Sequence, residues 1–459
     1  MIDAVLKDID SRRAESLAGL CEFLAIPSVS TKPEHSPDMQ KCANWLAKQL
    51  QEMGLTANVM PTAGHPVVLA KNKHVAGRPT VLVYGHYDVQ PPEPLELWQS
   101  PPFVPTVRKN EAGVDAVYAR GAVDDKGQVW CHVEAIRAWQ KAGGLPINLT
   151  FLIEGEEEIG SSHLDDFIKK NKALLKADVA VVSDTGQFAR GYPAITYGLR
   201  GLVYMEVFLT AADHDLHSGM FGGAVPNSAN ALCELLATLH DKDGRVNIPG
   251  FYEDVADLTA REKEEFAKLP FDENAFRNEL KLTELVGEKG FTTLERRWTR
   301  PTCDINGITS GYQGPGAKTV IASKASAKIS MRLVPNQDPV KVEASFKAAL
   351  IARCPKGIKI DFISHGGSPG IVVPITGKAM ELAGNAIKKG FGKSPVYMRE
   401  GGSIPILGLF KKELGLDTLL LGYGLPDDRV HSPNEKFDLD ALYAGTRTSA
   451  AAYDELSRL

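Results

Sequence analysis

The sequence predicts an α/β fold: a mostly parallel sheet with helices on both faces, interrupted by an inserted α+β unit. Three observations carry that expectation. Short, densely apolar runs at 80–84, 147–153, 178–183 and 418–422 read as strands buried on both faces, and segments of helical periodicity separate them. After Tyr197-Gly198-Leu199-Arg200-Gly201 the texture changes to alternating strands and charged helices, and the earlier pattern returns near residue 372. With 459 residues, the chain exceeds the roughly 250–300 residues at which a single core stops growing. The predicted division is a discontinuous domain, 1–197 with 372–459, and an inserted unit, 198–371.

Each element has a local reason. Val5, Ile9, Leu17, Leu20 and Leu24 lie on one stripe between charges and predict a helix over 3–25, ended by Ile26-Pro27. The pattern repeats over 38–53 and stops at Gly54. Strands follow at 66–70 and 80–84, the second ending on Gly85-His86. A helix is expected over 126–142, starting after Asp124-Asp125 and closed by Gly143-Gly144. A strand at 147–153 precedes three glutamates and a helix at 162–170, and a strand at 178–183 ends on Asp184. Beyond the texture change, 202–210 alternates as a half-buried strand, 227–240 is helical, and 252–298 is charged and mostly helical. Strands are expected at 319–323 and 327–333, then a helix at 340–353. The first pattern returns with a helix at 377–389, a strand at 418–422 and a closing helix at 439–456.

Composition narrows the function classes. A 43% apolar, 24% charged chain is ordinary for a globular protein, and its net charge of −5 argues against nucleic acid or an anionic membrane as partner. The six cysteines are scattered without a CxxC pair, which suits small buried residues in a reducing compartment. The N-terminal segment is studded with charges, so it reads as a helix rather than a signal peptide, and the expected address is cytoplasmic. No run approaches the roughly 18 apolar residues of a membrane span, and no phosphate-binding glycine motif follows a strand.

The chemistry sits in four places: Gly85-His86-Tyr87-Asp88, Asp124-Asp125, Glu156-Glu157-Glu158 and His431. Most of these follow buried strands, where ligands gather in a parallel sheet. His86 suits a neutral imidazole ligand, with Asp88 fixing its tautomer. Asp124, in a glycine-flanked turn, suits a bridging carboxylate, and adjacent glutamates point different ways, so one can bind metal while its neighbour stays free as a base. Singly, each has a plain alternative: a polar turn, a helix N-cap, or a solvated helix start. Their joint placement argues otherwise, because unpaired carboxylates behind buried strands are costly without a cation.

The segments YGHYDVQP, ARGAVDDKGQ, EGEEEIGS, VVSD, DLHSGMFGG, SMRLVPN, REGGSIP and HSPNEK resemble, in order, those of the cytosolic non-specific dipeptidases and carnosinases. These belong to a wider dinuclear-zinc family with acetylornithine deacetylase, succinyl-diaminopimelate desuccinylase and glutamate carboxypeptidase. The resemblance runs from about residue 15 to the C-terminus. It implies two divalent metal ions per subunit, zinc foremost, with manganese or cobalt as alternatives. His86 and Asp184 would hold one ion, Glu158 and His431 the other, and Asp124 would bridge them across an expected cis Asp124–Asp125 bond. Glu157 would be the general base acting on the metal-bridged water, with Asp88 supporting the site. His217 would stabilise the oxyanion from across a homodimer formed through the inserted lid domain. Arg332 would clamp the substrate carboxylate, Thr319, Gly402 and Ser403 would complete its contacts, and Glu400 would lie near the free amine. The reaction implied is hydrolysis of dipeptides with a free C-terminal carboxylate. An N-acyl amino acid deacylase or desuccinylase using the same chemistry is the alternative. The other histidines, His132 among them, are expected to be structural.

Overall fold

The computed structural model describes every residue except Ser403, and of Pro405 the backbone only. The chain divides into two compact units, Met1–Tyr197 with Val373–Met398 and Leu409–Leu459, and Gly198–Val372 with Arg399–Gly408.

The first unit is built on a sheet whose four central strands are parallel. Their order is Asn148–Glu154, Thr80–His86, Val179–Val182 and Thr418–Leu421. An antiparallel hairpin, Thr56–Met60 and Val67–Lys71, extends one edge, and Ala194–Leu199 runs antiparallel along Thr418–Leu421 at the other. Every residue of Asn148–Glu154, Val179–Val182 and Thr418–Leu421 is buried, so both faces of these strands are covered. That is the reading drawn from their unbroken apolar runs. Helices Lys126–Lys141, Leu439–Leu456 and Lys378–Phe391 pack against one another and the sheet, and Ser36–Glu52 packs on the hairpin.

The N-terminal stretch is two helices, not one. Ile2–Ser11 and Arg13–Leu24 meet at Arg12, whose φ of −110° and ψ of 18° break the ladder. The apolar stripe continues across the break, and periodicity alone cannot see a local change of ψ. The helix after the glutamates, Leu164–Leu175, runs past its expected end through a non-helical Asn171.

The second unit holds a four-stranded antiparallel sheet in the order Thr302–Ser310, Lys324–Leu333, Gly201–Thr210, Lys359–Ser368. Gly201–Thr210 alternates buried and half-buried residues along its length, the signature of a sheet covered on one face. Met205, Val207, Ile329 and Met331 point into that face. Leu232 and Leu235 of Ser228–Ala237, and Phe346 and Leu350 of Pro339–Arg353, join them in one core. The charged segment 252–298 forms three short helices, Ala260–Ala267, Glu273–Glu279 and Thr293–Trp298; the first and third start with a threonine–glutamate capping box.

Candidate metal centre

The parallel strands deliver side chains from the first unit to one point. His86 is the last residue of Thr80–His86, and Asp184 follows Val179–Val182 by two residues. Glu158 lies in a short 3-10 turn, Glu157–Ile159, beyond Asn148–Glu154. Asp124 sits in the turn before Lys126–Lys141, next to a cis Asp124–Asp125 bond as expected. His431 comes from a loop after Thr418–Leu421, with a left-handed φ of 60°.

These residues form two groups sharing Asp124. His86 Nε2 lies 3.2 Å from Asp124 Oδ1 and 4.0 Å from Asp184 Oδ2. His431 Nε2 lies 2.9 Å from Asp124 Oδ2 and 3.2 Å from Glu158 Oε2. Ligand atoms of His86, Asp124 and Asp184, and again of Asp124, Glu158 and His431, fall within 4.8 Å of one another. One carboxylate oxygen of Asp124 therefore faces each histidine.

Two observations fit cations here. His86 Nε2 is buried and has no hydrogen-bond partner among the described residues, although its other ring nitrogen is satisfied. Among the described residues, the carboxylates gathered here also outnumber the two histidines. Burial, with Asp125 and Asp124 close by, pushes the Asp184 carboxyl far above its ordinary range. Burial, then the charges of Glu158, Asp124 and Asp88, outweighs nearby His86 and raises Glu157 to about 7. Asp124 and Glu158 lift His431 to about 10 against its burial. Burial works against a charged His86, yet Asp124 and Asp88 hold that ring well above the usual imidazole value. Carboxylates that pull protons onto these two imidazoles would hold divalent cations in their place. Nitrogen and oxygen donors of this kind suit zinc, manganese or cobalt.

Asp88 divides its work. Its backbone carbonyl lies 3.0 Å from His86 Nδ1, and its carboxylate Oδ1 lies 3.4 Å away, so the ring proton faces Asp88 and Nε2 faces the centre. The carboxylate also accepts the backbone N–H groups of Glu157, at 3.3 Å, and Glu158, at 3.1 Å. It thus orients the acidic turn as well as the imidazole. Gly85 leaves the room this needs: a Cβ there would lie 2.6 Å from Asp125 Oδ2, which accepts the His86 N–H at 3.2 Å.

The remaining candidates belong to the second unit. His217 is exposed, at the end of a two-residue strand paired with Val320–Ile321. Its Nδ1 accepts the Gly219 N–H at 3.0 Å, which places the proton of a neutral ring on Nε2, the donor an oxyanion needs. The Ser218 N–H donates to the Thr319 carbonyl at 3.1 Å, so His217 and Thr319 are neighbours. Arg332 is half-buried on Lys324–Leu333, opposite Leu202 and Thr302. Glu400 is half-buried and Gly402 exposed; Ser403 lies outside the described residues.

Arg200 was not singled out from sequence. Its Nε donates to the Gly401 carbonyl at 3.2 Å and its N–H to the Glu400 carbonyl at 3.3 Å. Burial, with Arg332 and Arg297 close by, lowers its guanidinium to about 10. It thus anchors the Glu400–Gly401 backbone, with the Arg332 charge nearby. Glu154 is the second omission. It accepts from Tyr84 Oη at 2.5 Å and Ser161 Oγ at 2.9 Å beneath the acidic turn, and burial together with the Asp88 and Glu157 charges raises it to about 8. Arg200 is a single polar residue among apolar and glycine neighbours, and Glu154 opens the EGEEEIGS run without a ligand's role, so neither signals its part until its partners are known.

The model of peptidase family M20/M25/M40 matches residues 82–455. The Cys-Gly metallodipeptidase DUG1 of Candida albicans is 33% identical over 96% of this chain and 94% of its own. The human Beta-Ala-His dipeptidase is 31% identical over 100% of this chain and 93% of its own. Among solved structures, the M20 family metallo-carboxypeptidase Sso-CP2 from Sulfolobus solfataricus superimposes with a TM-score of 0.88 at 35% identity, covering 97% of this chain and 100% of that one.

Proposed function

Since the chain belongs to peptidase family M20/M25/M40, we propose that it is a dinuclear metallodipeptidase, zinc-dependent in the first instance and cytoplasmic, that cleaves dipeptides with a free C-terminal carboxylate. The observation that supports this most is the pair of three-residue ligand groups meeting on Asp124. His86 and Asp184 would hold one ion, Glu158 and His431 the other. When bound, such ions lower the pKa of coordinated water and polarise the scissile carbonyl.

The chain's own groups supply the remaining steps. A Glu157 carboxylate oxygen takes the proton of the attacking water and delivers it to the departing amine nitrogen. Asp88 holds the backbone of Glu157 and Glu158 in place. In the second unit, Arg332 receives the substrate's terminal carboxylate, a task suited to a planar guanidinium. Thr319, Gly402 and Ser403 add to that contact, and Glu400 takes the free amine. The His217 Nε2–H group donates to the oxyanion of the partner subunit's site, in a homodimer formed through the second unit, which thus serves as lid and dimerisation domain.

The relatives act on Cys-Gly and Beta-Ala-His by name, which favours peptide bonds over the N-acyl amides of a deacylase. The protein, stripped with a chelator and reloaded with zinc, manganese or cobalt separately, is assayed on dipeptides, tripeptides, and N-acetyl and N-succinyl amino acids. Faster turnover of dipeptides is expected; faster N-acyl cleavage overturns the reading, and tripeptide cleavage marks a carboxypeptidase. Glu157→Ala should lose several orders of magnitude in turnover while retaining metal. A mixture of His217→Ala and Glu157→Ala chains should recover activity that neither has alone, and failure to do so places His217 in its own subunit's site.

A further inference from the structure

The HSPNEK segment contributes His431 to the centre, but its glutamate has no part in the reading above. Glu435 is fully buried, and each of its carboxylate oxygens receives two donors. Oε2 accepts Arg120 Nη1 at 2.7 Å and the Gly121 N–H at 3.0 Å. Oε1 accepts the N–H groups of Val123, at 3.0 Å, and Asp124, at 3.1 Å. Its backbone carbonyl takes the Ala119 N–H at 3.2 Å. Three of the four donors to the side chain are backbone groups of the turn that presents Asp124.

The other end of the connection is equally fixed. The loop 428–436 is closed at its base, where the Lys436 N–H donates to the Asp428 carbonyl at 3.0 Å and Lys436 Nζ to Asp428 Oδ1 at 2.6 Å. Asn434 Oδ1 accepts the Gln99 N–H at 2.9 Å, and Asn434 Nδ2 donates to the Leu97 carbonyl at 2.7 Å. Beyond the loop, Lys436–Asp438 pairs with Asp115–Tyr118, the strand leading into the Asp124 turn. His431 thus projects from a clamped loop in which Glu435, four residues on, grips the backbone of Asp124.

We propose that Glu435 is the positioning residue of the metal centre: it fastens the bridging Asp124 to the loop carrying His431, so that both ion sites depend on one buried carboxylate. The inference rests on the dinuclear reading above. Because Asp124 faces both histidines, a loosened Asp124 turn weakens both ions together, whereas loss of His431 weakens one. Glu435→Gln is the sharpest perturbation. Its single carbonyl oxygen goes to the charged Arg120, which turns the amide NH2 toward the Val123 and Asp124 N–H groups, donor against donor.

The test is metal titration by calorimetry, with melting temperature as a fold control, on the full-length parent, Glu435→Gln, Glu435→Asp and His431→Ala. The parent should bind two ions; a parent that binds one or none overturns the dinuclear reading, not the role of Glu435. Given two ions, Glu435→Gln should bind both about 10–100-fold more weakly, Glu435→Asp should recover part of that loss, and His431→Ala should weaken one ion only. The weakened enzyme, saturated with metal, should regain its kcat with KM unchanged. Parent affinity for both ions in Glu435→Gln, or weakening of one alone, overturns the proposal. If neither Glu435 variant folds, amide exchange on the unmodified chain decides. Gly121, Val123 and Asp124 should stay protected after chelation, and their deprotection would show that metal rather than Glu435 holds the turn.

Discussion

His132 makes the first unit acid-sensitive by an amount that can be worked out. Its ring is buried in helix Lys126–Lys141, with Nδ1 at 2.9 Å from Tyr453 Oη and Nε2 at 2.8 Å from Ser183 Oγ. Burial lowers its pKa to about 3. The unfolded chain titrates this ring near pH 6.5, so between pH 6.5 and pH 3 the unfolded state holds a proton that the folded state refuses. The associated stability is complete above pH 6.5 and declines as pH falls, at about 1.4 kcal/mol per pH unit. From pH 7 to pH 5 the loss is about 2 kcal/mol. His132→Gln keeps a donor and an acceptor for Ser183 and Tyr453 but cannot titrate. Urea unfolding of parent and variant at both pH values, followed by the fluorescence of Trp130 and Trp139 on the same helix, gives the double difference. Other groups titrate equally in both proteins and cancel. The variant should lose about 2 kcal/mol less than the parent; parallel pH dependences would refute a neutral buried ring.

Two further substitutions probe packing around the centre and in the second unit. Gly127→Ala would place a Cβ 1.9 Å from the Ala122 carbonyl oxygen and 2.7 Å from Phe437 Cδ1, at the foot of the Asp124 turn. It should cost about 3 kcal/mol or more, read as a lowered melting temperature; a parent-like melt would show that the turn yields freely. Arg300→Met leaves Glu288 buried without its bidentate partner, whose two nitrogens lie at 2.8 Å. Arg245 remains at 3.2 Å, so the expected loss is about 3 kcal/mol by urea unfolding. Adding Glu288→Gln should return part of it, and full additivity of the two changes would argue against a coupled pair.

What the sequence discloses follows the physics of each element. Runs such as TVLVYGH and NLTFLIE are dense in apolar residues because both faces are covered, and the closing helix Leu439–Leu456 falls on its expected bounds. The outer strands of the second sheet, TCDINGITS and KIDFISHGGS, gave no such signal. They carry polar and exposed residues and are recruited by pairing with central strands. The positions that a motif resemblance marks for metal converge on Asp124, since ligand residues carry a recognisable type and spacing. Glu435, although inside the HSPNEK segment, and Arg200 carry no mark of their roles. Their partners are largely backbone N–H and carbonyl groups, which every residue has and no alphabet records.

The two halves of the centre differ in their access to water. The His86 side chain is wholly enclosed, while that of His431 is 54% exposed on a loop. If both positions hold ions as proposed, an incoming ligand reaches them unequally, and they should turn over their ions at unequal rates. In the dinuclear enzyme proposed above, the enclosed position would keep the ion acquired at synthesis. The open one samples whatever the surrounding medium offers. Protein taken from cells and held in a defined buffer should therefore become a mixed-metal species, with its metabolic history recorded at His86 and its storage conditions at His431.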